Sequence, residues 1–108
     1  MTQAPALTAR DRVRTIAPKL IELTERVLFG DVWERPGLSP RDRSLITVAA
    51  LVSLYRSDQL GVHLRRAIDN GVKQDELVEA ITHLAFYAGW PCAMTAILKV
   101  KEVLGPNS

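Results

Sequence analysis

The sequence predicts an all-α fold of about six helices with short connections. Two observations carry that prediction. Apolar residues recur at helical spacing along most of the chain, and no useful length alternates with the period of two that a strand requires. Start and stop signals also fall between the apolar stripes at regular intervals.

Taken in order, residues Met1–Leu7 read as a loose arm. Thr8 caps a first short helix, with Asp11 three residues on to bond back. Pro18 suits the first turn of a second helix, which runs from about Ala17 to Phe29 with Leu20, Leu23, Val27 and Leu28 as its apolar face. Gly30 ends it, and residues 30–37 form a loop that Trp33 pins to the body. Ser39-Pro40-Arg41-Asp42 is a strong helix start: a capping hydroxyl, a proline at the first helical position and an acid in the first turn. The helix that follows, to about Tyr55, is apolar on nearly every side between Leu45 and Leu54, which predicts burial all round. Ser57 caps the next, whose stripe is Leu60, Leu64, Ala67 and Ile68, and Asn70-Gly71 closes it. A further helix from Gln74 carries Leu77, Ile81, Leu84, Ala85 and Ala88, and Gly89 stops it. Pro91 starts the last, through Leu104, with Ala93, Ala96, Ile97, Val100 and Leu104 facing in.

The 108 residues fit a single domain. An all-round apolar helix and 47% hydrophobic residues exceed what one small domain covers by itself, so a homo-oligomer is expected. The net charge is +2, and the arginines are spread along the chain, so neither nucleic acid nor a membrane surface is expected as a partner. Cys92 has no second cysteine to pair with and fits a reducing compartment. The first ten residues lack the apolar core of a signal peptide, and no run reaches the roughly 18 apolar residues of a membrane span. A cytoplasmic protein is expected.

Two polar lines stand out. Arg56, Gln59, His63 and Arg66 are spaced by three, four and three residues, which places them on one side of a helix beside its buried stripe. A histidine at the edge of a buried face is the best candidate for chemistry here. Glu79, His83, Phe86, Tyr87 and Trp90 share a side of the penultimate helix: the rings wall a pocket or an interface between subunits, and His83 and Tyr87 offer polar tips. The two histidines lie twenty residues apart with no cysteine cluster, and no Gly-rich loop is present, so neither a metal nor another cofactor is expected.

The runs Phe29-Gly30-Asp31-Val32-Trp33-Glu34-Arg35-Pro36-Gly37-Leu38, Arg41-Asp42-Arg43-Ser44-Leu45, His63, Asn70-Gly71 and Tyr87-Ala88-Gly89-Trp90-Pro91 occur in an order and spacing that resembles the carboxymuconolactone decarboxylase family, which includes the AhpD-like proteins. The resemblance spans about Pro18 to Leu104 and implies a helical subunit that assembles as trimers or hexamers. The family's peroxidase branch uses a Cys-x-x-Cys pair before the histidine and an acid upstream. Those positions hold Arg56, Gln59 and Ser44 here, so the thiolate chemistry has no counterpart at that place. The decarboxylase branch keeps the histidine and commonly has glutamate where this chain has Gln59.

The resemblance therefore implies decarboxylation, or a related transformation, of a small carboxylated lactone or enol. His63 serves as acid-base, with Gln59 and Arg56 beside it. Arg43, Ser44, His83, Tyr87 and Trp90 are the candidate substrate-binding residues. Two alternatives stand: a non-catalytic oligomer that binds a small ligand or acts as a scaffold, and a hydroperoxide reductase working through Cys92 alone.

Overall fold

A computed structural model describes residues 7–106, so the predicted arm lies, except for Leu7, outside the described residues. The chain divides into two compact units, one up to Gly37 and one from Leu38 onward.

In the first unit, α1 (Ala9–Arg14) opens with the expected capping box: Thr8 Oγ1 accepts from the Asp11 amide at 3.1 Å, and the Asp11 carboxylate accepts from the Thr8 amide at 3.2 Å. The second helix splits. Residues Pro18–Leu23 form α2, and Thr24–Phe29 continue it as a wider π-helical turn. Gly30 follows that turn with an ordinary φ of −83°, yet a Cβ there would lie 2.5 Å from the Arg26 carbonyl oxygen. Arg14 grips the Glu25 carboxylate with two nitrogens, at 2.9 and 3.2 Å, and Arg10 lies over the Phe29 ring. Trp33 sits on a short 3₁₀ turn (Val32–Glu34) with its ring 5.8 Å from that of Phe29. The apolar face expected of the second helix is not buried. Ile21 is the buried residue, whereas Leu20, Leu23, Val27 and Leu28 line an open groove of about 360 Å³ with Thr24 and Val32.

The second unit is built from α3 (Pro40–Ser53), α4 (Ser57–Asp69), α5 (Gln74–Ala88) and α6 (Trp90–Leu104). α3 packs against each of the other three, and α6 packs on α4 and α5, whereas α4 and α5 make no extensive contact with each other. The core joins Val48 and Val52 of α3, Leu60, Leu64 and Ala67 of α4, Leu77, Ile81 and Ala85 of α5, and Ala93, Ala96 and Val100 of α6. Val72, in the link after α4, completes it. The alanines keep side chains short where helices meet, and Gly61 brings α4 so near α6 that a Cβ there would touch Val103 at 3.3 Å.

Three expectations need correction. α3 is not buried all round: Val48 and Val52 face the core, but Ile46 and Leu54 are more than half exposed. A helix packed on neighbours along one side still has a free side, whatever its composition. Ile68 likewise lies off the buried stripe of α4. Ser57 is the first residue of α4 rather than its cap; Arg56 holds the cap position, with no side-chain hydrogen bond to the helix end. Ser39 does cap α3, accepting from the Asp42 amide at 3.1 Å.

Both ends of the α3–α4 hairpin close with the same hydrogen-bond pattern. After α4, the Gly71 amide donates to the Ile68 carbonyl and the Val72 amide to that of Ala67, with Gly71 at φ +98°. After α3, the Tyr55 amide donates to Val52 and the Arg56 amide to Leu51, with Tyr55 at φ +59°.

Leu64 is fully buried in the middle of this core. Leu64→Ala is expected to lower unfolding free energy by roughly 2–5 kcal/mol in urea titration. A loss under about 0.5 kcal/mol would mean that the four helices are held elsewhere.

Candidate functional site

α4 carries the first candidate line because its buried residues, Leu60, Leu64 and Ala67, recur three to four apart and leave the adjacent side for Arg56, Gln59, His63 and Arg66. Arg56 and Gln59 are exposed, and His63 and Arg66 are half-buried, so the line passes from solvent toward the core edge. His63 Nδ1 is sealed from solvent with no hydrogen-bond partner. An unpartnered buried polar atom costs about 1–3 kcal/mol. Burial, and next the Arg66 guanidinium, hold the His63 pKa below the ordinary histidine value.

Ser44 and Arg43 come from the first half of α3. Ser44 is 1% exposed, and its hydroxyl accepts from Asn70 Nδ2 at 2.9 Å, which ties α3 to the end of α4. Nearby, Arg41 pairs with Glu76 of α5. Arg43 is half-buried, and its carbonyl accepts from the Thr47 hydroxyl at 2.8 Å.

The second line lies on α5 and the start of α6. His83 and Tyr87 stack with centroids 4.9 Å apart, and Phe86 meets Trp90 edge to face at 5.4 Å. These rings face outward: Phe86 is 74% exposed, Tyr87 79% and Trp90 57%. The exposed apolar face continues along α6 with Met94 and Leu98.

The two lines lie mainly on α4 and α5, the helices of this unit that make no extensive contact with each other. Gln59 and His63 lie on α4 with Arg56 at its cap position, and His83, Tyr87 and Trp90 share another surface. Cys92 is partly buried against the core at the start of α6. Among the described residues, no three His, Cys, Asp or Glu side chains gather as metal ligands, and no helix is long and apolar enough to cross a membrane.

Sequence reasoning overlooked the Asn70–Ser44 bond and the left-handed Tyr55. The first had no signal, since Asn70 read only as a helix end. The second had one: the stop after α3 lacks the glycine that stands at the stop after α4.

The family model described as "Carboxymuconolactone decarboxylase family" matches residues 18–102. Over 78 residues the chain is 47% identical to a protein of Acinetobacter baylyi named 4-carboxymuconolactone decarboxylase, covering 72% of this chain and 58% of that one. Over 83 residues it is 37% identical to nitrosuccinic acid decarboxylase of Metarhizium robertsii, covering 77% and 58% respectively. The chain thus spans little more than half the length of either relative.

A histidine held below its ordinary pKa takes up its proton more readily when unfolded. Stability is therefore expected to fall as pH drops below about 6.5 and through the folded pKa. In urea titrations at pH 7 and pH 5, His63→Gln should lose less stability between the two than the native chain. Equal losses would assign the acid sensitivity to other groups.

Proposed function

Because this chain belongs to the carboxymuconolactone decarboxylase family, we propose that it decarboxylates a small carboxylated lactone or a related acid, with His63 as the acid-base group. The observation that carries the reading is the state of His63: half-buried, its Nδ1 without a partner, and in line with Gln59 and Arg56 on α4. The names of the two relatives support the reaction class. Both named acids can lose carbon dioxide to leave a carbanion delocalised onto oxygen, through a lactone carbonyl in one and a nitro group in the other.

In the lactone case the carbon–carboxylate bond breaks, and its electron pair spreads through the ring to the carbonyl oxygen as a dienolate. The apolar surface beside His63 disfavours the localised carboxylate more than the spread charge. A guanidinium, from Arg56 or Arg43, stabilises the oxygen as charge develops. His63 then delivers a proton to the ring carbon. The neutral form of His63 dominates in the free protein at neutral pH, and an anionic substrate beside it raises its proton affinity. Gln59, one turn earlier, presents its amide on the same side of α4 as the imidazole. Ser44 enters this reading as the anchor between α3 and α4, since its hydroxyl already accepts from Asn70.

The reading includes a homo-oligomer. The exposed rings of Phe86, Tyr87 and Trp90, with Met94 and Leu98, form an apolar face that a second copy would cover. In such an assembly His83, Tyr87 and Trp90 would contribute to substrate binding. The Gln59 amide, where the decarboxylase branch commonly has a carboxylate, favours a second reading in which the oligomer binds such an acid without turning it over.

Turnover of 4-carboxymuconolactone, followed by ultraviolet absorbance, tests the proposal. The native chain should react, and His63→Ala should lose about 10²–10⁴-fold in rate with its oligomeric state unchanged. A full rate in the variant would overturn the role of His63, and a native chain that binds the lactone without converting it would establish the second reading. Gln59→Glu should raise kcat if the rate depends on how much of His63 is protonated, since a carboxylate beside it favours the imidazolium. An unchanged kcat would show that no charge is needed at position 59.

A further inference from the structure

Tyr55 has a positive φ, +59°, the only such value at a non-glycine among the described residues. The left-handed region crowds a Cβ against the backbone, and a bulky residue stays there only when its surroundings hold it. The chain closes α4 with the same hydrogen-bond pattern and uses Gly71, which meets no such crowding. Tyrosine after α3 therefore carries a backbone cost that glycine would avoid. Burial does not offset that cost, for the residue is 58% exposed. The side chain reaches α6, where the Thr95 hydroxyl donates to Tyr55 Oη at 3.3 Å.

We propose that Tyr55 is a positioning residue: it straps the α3–α4 junction to α6 and so fixes Arg56, the next residue, at the mouth of the His63 line. This proposal rests on the decarboxylase reading for its consequence, though not for its geometry. The Arg56 amide is bonded to Leu51 at 2.9 Å, and its carbonyl accepts the first bond of α4, from the Leu60 amide at 3.1 Å. With both backbone groups of Arg56 committed, the direction of its side chain depends on the turn that Tyr55 sets. An untethered turn leaves that guanidinium free to swing, and a donor that moves no longer stabilises charge at one fixed oxygen.

Three variants test the strap. Tyr55→Gly removes the crowding and the phenol together, Tyr55→Phe removes the hydroxyl alone, and Thr95→Ala removes the partner. Tyr55→Gly should keep or raise the melting temperature, yet lower kcat for 4-carboxymuconolactone by about ten- to a hundredfold. A residue serving stability alone would move both in the same direction. Tyr55→Phe and Thr95→Ala should each lower kcat, and the double variant should fall no further than either single one. Native kcat in Tyr55→Phe and Tyr55→Gly, alongside a loss in Arg56→Ala, would overturn the proposal. If the native chain does not turn over the lactone, the decarboxylase reading fails separately. Amide hydrogen exchange then judges the strap: faster exchange at Arg56 and Leu60 in Tyr55→Phe supports it, and unchanged exchange overturns it.

Discussion

Close approach of α3, α4, α5 and α6 through short side chains is the constraint on which the second unit depends. Ala67, Ala85, Ala93 and Ala96 lie at the contacts, and larger side chains such as Leu64, Leu77 and Ile81 fill the space between. Interiors pack at near-crystalline density, so such a core fixes the rotation of each helix about its own axis. That rotation decides which residues of α4 can reach solvent. His63 stands at the edge of the stripe because Leu60, Leu64 and Ala67 occupy the middle of it.

The hairpin of α3 and α4 is held at its two ends by different means. At one end, Asn70 donates to the hydroxyl of buried Ser44, a part-buried polar contact that ties the two helices in register. At the other, Tyr55 turns the chain in a conformation that glycine would adopt more cheaply. Between them lies the half-buried imidazole. A site placed between two fixed ends gains precision without needing rigid side chains of its own.

Helix existence and order were legible in the sequence because caps and stripes obey local rules. Thr8 with Asp11, Ser39 with Pro40, and the stop at Gly71 all stand where those rules put them. Burial was less legible. Composition marked α3 as enclosed, but it does not reveal which neighbours lie on which side, and Ile46 and Leu54 face outward. The π-helical turn was hidden for a related reason: Thr24–Phe29 carry the same apolar spacing that an α-helix would. The His63 line was readable from spacing alone, whereas its distance from the aromatic line depends on which helices neighbour one another, and no periodicity encodes that.

The wide turn before Gly30 bears on how this chain can vary over evolutionary time. A π turn carries an additional residue in its loop of backbone, and here it brings the Arg26 carbonyl to within 2.5 Å of where a Cβ on residue 30 would sit. The obstacle is backbone, which cannot rotate aside as a side chain can. Gly37, a few residues on, has nothing within 4 Å of the corresponding position. Two glycines in one loop thus have opposite tolerances: position 37 can drift among residue types, while position 30 can change only together with a rebuilding of the turn before it, for instance by loss of one residue that restores α-helical winding.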